Sequence, residues 1–222
     1  MTFVSVFGDS ISTFEVFNPK GYEVFYTKYM QERNGLTTVY DTWWAKVNQA
    51  LRAYICVNNS YSGCRVSGER FPSANCSERT SCLHNGNIYP DYILVYLGFN
   101  DFGYGVPIYG KDEFNNTVNV FSYSYDVMLN KLKNNYPNST IICGTLLKSQ
   151  IKDNPKWEFP DKYCGVSFEL YNEEIRKSVK RCGCRLADLA LTNLRYETLD
   201  GSHPTVEGHK TLAAAWINSL NL

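Results

Sequence analysis

The chain has 222 residues, 44% of them hydrophobic and 20% charged, which suits one globular domain spanning 1–222 with a sizeable core. Lys plus Arg and Asp plus Glu balance at 22 each, so there is no basic field for nucleic acid and no charged tail for a membrane surface. No apolar run reaches the roughly 18 residues that a membrane-crossing helix needs, and no basic leader precedes the first apolar run. A cytoplasmic location is therefore the expectation, with a trimmed secreted chain as the alternative.

Phe3–Phe7 reads as a short strand that runs straight into Gly8-Asp9-Ser10. Residues 11–40 follow without a sustained period, and then Trp43, Val47 and Leu51 mark a helix. One of Trp43 and Trp44 is expected in the core and the other turned toward the rim. Tyr54–Val57 is the second strand, followed by a second irregular stretch over 60–90 that carries Gly63. Loops of that length in a compact domain are usually functional. Tyr92–Leu97 is the third strand and leads into Gly98-Phe99-Asn100-Asp101. Tyr125, Met128, Leu129, Leu132 and Tyr136 lie on one helix face, Ile141–Leu146 is a strand, and Tyr171, Ile175 and Val179 mark a helix with Ser167 as candidate cap. Arg185–Leu189 is the fifth strand. Asp200-Gly201-Ser202-His203 precedes a final helix striped by Leu212, Ala213, Trp216 and Leu220. Strands alternating with helices predict an α/β fold with a parallel sheet covered on both faces. Ligands of such sheets sit beyond the carboxyl ends of the strands, where Ser10, Gly63 and Asn100 all fall.

A serine hydroxyl becomes nucleophilic only when a base takes its proton and a third group orients that base. Asp200 and His203 are three apart, so one turn can set carboxylate against imidazole and leave the other ring nitrogen for Ser10. Of the other two histidines, His84 lies in a polar loop, and His209 is expected to face out from the last helix or cap its start. An oxyanion needs donors, and the N–H of Ser10, the N–H of Gly63 and the amide of Asn100 are candidates, with Gly68 as the alternative to Gly63. Asp9 and Asp101 are expected to hold loop backbone, and Gly98 to permit a close chain approach. No Gly-x-Ser-x-Gly elbow, Gly-x-Gly-x-x-Gly turn or Walker loop occurs.

The eight cysteines include no Cys-x-x-Cys pair, so neither a metal site nor a cofactor is expected. Reduced thiols are expected, Cys76 and Cys82 being the pair that could bridge in an oxidising compartment. The sequons at Asn58, Asn75, Asn115 and Asn138 are expected to be unmodified.

Gly8-Asp9-Ser10, Gly63, Gly98-x-Asn100-Asp101 and Asp200-x-x-His203-Pro204-Thr205 resemble, in order, the four conserved blocks of the SGNH (GDSL-type) hydrolases. Ile11 stands where leucine gives the GDSL motif its name. The resemblance implies a flavodoxin-like three-layer α/β/α sandwich around a five-stranded parallel sheet. It also implies Ser10 as nucleophile, His203 as base, Asp200 as its orienter, and an oxyanion hole from Ser10, Gly63 and Asn100. Asp9–Phe14, Thr42-Trp43-Trp44 and Tyr104-Gly105-Val106-Pro107 are similar to a bacterial subgroup linked to acyl esters and carbohydrate esters.

Aromatic residues make up 15% of the chain. Tyr22, Tyr26, Tyr40, Tyr61, Phe99, Tyr104 and Tyr109 fall in loops expected near the site, where a flat face with a hydroxyl suits a sugar ring or a short acyl group. Arg65 and Arg70 follow Gly63 and are candidates for an anionic substrate group. The leading expectation is a serine esterase removing short acyl groups, acetyl foremost, from a small-molecule or carbohydrate ester. The alternatives are a thioesterase or lysophospholipase using the same residues, and a carbohydrate-binding protein on the same scaffold. The sequence sets no oligomeric state.

Overall fold

The computed structural model describes residues 1–110 and 117–220. The sequon at Asn115 lies outside the described residues. Nine strands occur among them: β1 (Thr2–Gly8), β2 (Ala53–Ser60), β3 (Tyr92–Tyr96), β4 (Thr140–Gly144), β5 (Ser149–Ile151), β6 (Lys162–Tyr163), β7 (Val166–Ser167), β8 (Arg185–Ala187) and β9 (Tyr196–Thr198). The helices are α1 (Lys28–Arg33), α2 (Trp43–Ala50), α3 (Ser77–Thr80), α4 (Phe99–Gly103), α5 (Phe121–Asn135), α6 (Phe168–Cys182) and α7 (Val206–Leu220).

Five of the strands form one sheet in the order β2-β1-β3-β4-β8, with every neighbouring pair parallel. Val4, Val6 and Phe7 of β1 and Ile93, Leu94 and Val95 of β3 are fully buried, as central strands covered on both faces must be. Helices α2 and α7 pack together, as do α5 and α6, giving the three-layer α/β/α arrangement. Trp43 of α2 stacks on Trp216 of α7 at 5.1 Å between ring centres and 12° between planes. After β1 the chain moves outward to β2, then returns across β1 to β3. The carboxyl ends of β1 and β3 thus flank the point where connections diverge, and that crevice is where α/β sheets take ligands.

The five expected strands are all present, with ends that differ by a few residues. Strand β2 is at the edge of the sheet, so its first half is less buried than β1 or β3. Four expectations change. Trp44 is not turned to the rim: both indoles are buried, Trp43 Nε1 donating to Ser12 Oγ and Trp44 Nε1 to the Ser12 carbonyl. Tyr26 is fully buried and donates to the Pro204 carbonyl rather than lining a pocket. Ser167 occupies the position before α6, but its side chain makes no capping bond. His209 does not face out: it is fully buried on α7, and its Nδ1 accepts the Trp43 N–H at the start of α2.

Candidate active site

Each functional candidate sits in a turn fixed by local chemistry. Strand β1 ends at Gly8, where an added Cβ would lie 2.5 Å from Ser12 Oγ and 2.9 Å from Ser60 Oγ, so no larger residue fits. Asp9 then caps a 3₁₀ turn over Ser10–Ser12, its carboxylate accepting the Ile11 N–H at 3.0 Å. The N–H of Ser10, first in that turn, is one the turn itself does not use. After β3, Gly98 adopts φ 126°, and a Cβ there would meet Phe121 at 3.2 Å, the close approach expected of it. Asn100 follows in the first turn of α4.

The Asp200–His203 loop is tied down from several sides. Strand β9 pairs in parallel with β5. Ser149 Oγ donates to the Gly201 carbonyl, Gly201 N–H to Thr198 Oγ1, and Tyr196 Oη to the Ser202 carbonyl. Asp200 Oδ1 accepts the backbone N–H of both Ser202 and His203, at 2.9 and 2.8 Å.

These turns converge. His203 Nδ1 lies 2.7 Å from Asp200 Oδ2, and His203 Nε2 lies 3.0 Å from Ser10 Oγ. A carboxylate can only accept, so Nδ1 carries the proton and Nε2 is left to accept from the Ser10 hydroxyl. Burial opposes charge on Asp200, but the hydrogen bond and charge of His203 and the two backbone donors outweigh it and bring its pKa down to about 2. Asp200 is therefore ionised throughout the neutral range.

Asn100 Nδ2 donates to the Cys64 carbonyl at 2.9 Å and, more weakly, toward Asp9 Oδ2 at 3.4 Å. The amide thereby ties the nucleophile turn to the Gly63–Cys64 turn. Gly63, at φ 76°, keeps its N–H out of the turn's hydrogen bonds, whereas the Gly68 N–H donates to Val118 O at 2.6 Å. Gly63 is thus the better placed of the two. Asp101 accepts the N–H groups of Val66 and Ser67, holding backbone as expected. Burial pushes Asp9 up to about 7 and Asp101 up to about 6.

Two cavities flank these turns. One of about 270 Å³ is walled by Phe99, Phe102, Trp157, Phe159 and Tyr163, with Asn100 and Asp200 on its rim. The other, of about 330 Å³, is lined by Gly63, Arg65, Arg70 and Tyr104, the Arg65 guanidinium lying 5.1 Å over the Tyr104 ring. Of the sequence candidates, Phe99 thus falls in the first and Arg65 and Tyr104 in the second. Tyr61 lines neither and packs on Tyr22 and Phe71. Trp157, Phe159 and Tyr163 were not expected from the sequence, because their segment has no period. Among the described residues, no three His, Cys, Asp or Glu side chains gather as a metal-ligand set, and no helix is long and apolar enough to cross a membrane.

The fold is shared with solved structures. A protein from Bacteroides uniformis named a GDSL-like lipase superposes with a TM-score of 0.74 at 25% identity, covering 100% of this chain and 96% of its own. One from Bacteroides ovatus, named likewise, gives 0.74 at 22% identity, covering 100% and 98%. A carbohydrate acetylesterase family member from Sinorhizobium meliloti gives 0.63 at 17% identity and covers 100% of both. No curated protein matches the chain. The GDSL-like lipase/acylhydrolase model matches residues 2–165, from β1 through the Gly63 turn and the Asn100 block to the aromatic segment, and with so much of the sequence accounted for the chain belongs to that family.

Proposed function

We propose that the protein is a serine esterase acting on short-chain acyl esters, acetyl foremost, with carbohydrate esters as the natural substrate class. The observation that carries this reading is the continuous series Asp200–His203–Ser10, at 2.7 and 3.0 Å, on the rim where the sheet's connections diverge. Ser10 Oγ attacks the ester carbonyl while its proton passes to His203 Nε2. Asp200 holds the ring in the tautomer that makes this transfer feasible and offsets the imidazolium charge. The N–H groups of Ser10 and Gly63 receive the oxyanion, with the Asn100 amide turning to it from its long 3.4 Å contact to Asp9. On collapse the alcohol leaves with the proton from Nε2, and acyl-Ser10 remains. Water, deprotonated by the same nitrogen, then releases the acid and restores the serine.

The smaller cavity supports the substrate assignment. At about 270 Å³ it has room for a short acyl group or part of a sugar, and the Trp157 and Tyr163 rings offer faces on which a sugar can stack. Its neighbour in fold from Sinorhizobium meliloti, a carbohydrate acetylesterase family member, leans the same way. The test is hydrolysis of para-nitrophenyl esters of rising chain length by wild type and Ser10→Ala. The rate should peak at acetate and fall at least about a thousandfold in the variant. A peak at long acyl chains would favour the lysophospholipase or thioesterase reading. Carbohydrate binding without turnover, and without labelling of Ser10 by a serine probe, would make the protein a binding module.

A further inference from the structure

The imidazole of His203 has a neighbour that the hydrogen-bonded series does not require. The ring of Phe25 lies flat against it, with 3.4 Å between centres and 6° between planes. Two neutral aromatic rings disfavour this face-to-face sandwich, because their negative faces repel, and prefer offset or edge-on packing. A cation over an aromatic face is attracted by that same negative face. The arrangement is therefore poorly suited to a neutral imidazole and well suited to an imidazolium.

Phe25 is held there from both sides of the site. Its N–H donates to Thr13 Oγ1 at 3.0 Å, and the Thr13 hydroxyl donates to the Ser10 carbonyl at 2.9 Å. One threonine thus fixes both the nucleophile's turn and the backbone of the stacking residue. On the other side, Tyr26 meets the Phe25 ring edge-on at 5.0 Å and donates to the carbonyl of Pro204, the residue after His203. The stack is built into the fold between the two halves of the site.

We propose that Phe25 is a positioning residue whose ring face stabilises the protonated form of His203, the form that arises as the base takes the Ser10 proton. This rests on the esterase reading for its catalytic meaning, though the effect on the imidazole exists without turnover. Asp200 sits on Nδ1, Ser10 on Nε2, and Phe25 on one face. Tyr26 packs behind Phe25 and also approaches His209, which burial holds down at about 3 and so neutral over the working range. Asp9, in the neighbouring turn, is pushed up to about 7 by burial, and its effect is common to wild type and to variants at position 25.

The experiment compares wild type, Phe25→Leu and Phe25→Tyr. Leucine keeps an apolar cover over the imidazole and removes the π face, while tyrosine keeps both. The His203 imidazole is titrated by NMR in each, its signal assigned by its loss in His203→Gln, and kcat and KM for para-nitrophenyl acetate are followed from pH 5 to 9. Phe25→Leu should lower the imidazole pKa by roughly half a unit and kcat by about two- to fivefold, with KM unchanged and both effects reversed in Phe25→Tyr. An imidazole pKa unchanged or raised in Phe25→Leu overturns the proposal, as does a tyrosine variant that behaves like leucine. Absence of Ser10-dependent turnover in wild type would count against the esterase reading instead, and the titration would still decide the role of the Phe25 face.

Discussion

Replacing Arg79 with methionine should destabilise the protein severely, because the guanidinium is buried under the site and bonded on every side. Arg79 belongs to α3 and has no exposed surface. Its Nε donates to Asn59 Oδ1 at 3.1 Å, Nη1 to Cys64 Sγ at 2.9 Å and the Pro72 carbonyl at 3.1 Å, and Nη2 to the Gly8 carbonyl at 3.0 Å and the Asn59 carbonyl at 2.6 Å. The guanidinium also lies 4.7 Å over the Phe7 ring. None of these partners is a carboxylate, and the guanidinium charge acts at longer range on Asp9. Methionine fills the stem's volume but donates nothing. The Gly8 carbonyl keeps the Tyr61 N–H, whereas the Pro72 carbonyl and Asn59 Oδ1 have no other donor among the described hydrogen bonds. Two stranded acceptors at about 1–3 kcal/mol each come to about 2–6 kcal/mol. With a urea slope of about 2–3 kcal/mol per molar, the unfolding midpoint should fall by roughly 0.7–3 M at unchanged slope. Residual activity should also drop below the folded fraction, because Arg79 ties Gly8 to Cys64 and so sets the Ser10 turn against the Gly63 turn. A midpoint shift under about 0.5 M would refute the reasoning, since the guanidinium would then contribute no more than an exposed one.

Two further outcomes are expected. Asp200→Asn leaves the loop geometry in place but lets the amide donate to Nδ1, stabilising the wrong tautomer; kcat on para-nitrophenyl acetate should fall about 10³–10⁴-fold with the protein still folded. An active Asp200→Asn protein would remove Asp200 from the mechanism. Stability should also rise on mild acidification. Asp9 is raised from 3.8 to about 7, so its contribution is full below pH 4 and is lost as pH climbs through 7; Asp101, raised to about 6, adds in the same direction. Asp200, lowered to about 2, loses its contribution only as pH falls through that value. Asp9 alone contributes at most about 4 kcal/mol, and melting should occur at higher temperature at pH 5 than at pH 8, with the difference reduced in Asp9→Asn. A flat or reversed profile in wild type would show that the buried carboxyls are ionised without penalty.

The architecture was legible because its signals are local. Apolar runs such as Phe3–Phe7 and Tyr92–Leu97 are short and rich in β-branched and aromatic residues, as strands covered on both faces are, and the chemistry-bearing Ser10 and Asn100 follow them directly. Asp200 and His203 share one short loop, so their spacing already contains their geometry. Phe25, Arg79 and Trp157 carry no such signal. Each lies in a stretch without period, and each matters for what it meets far away in sequence: His203, Gly8 and Gly201 respectively. Trp157, for example, stands where a Cβ on Gly201 would come within 2.9 Å of its ring, a contact no composition rule could suggest.

His209 is a different kind of miss, because its signal was present. The buried stripe of α7 runs through Leu212, Ala213, Trp216 and Leu220, and the same helical period extended one turn back falls on position 209. A polar residue at an apolar position must be bonded or expensive. His209 is bonded on one nitrogen only: Nδ1 accepts the Trp43 N–H, while Nε2 is buried without a partner among the described residues. Trp43 is the first residue of α2, so the imidazole takes up one of the helix-start donors that would otherwise be stranded beneath the sheet. Burial keeps the ring neutral, at a pKa of about 3, which is the form able to accept. The histidine thus joins α7 to α2 in the layer opposite α5 and α6. Only its periodic position, not its chemistry, separates it from His203, the histidine at the rim.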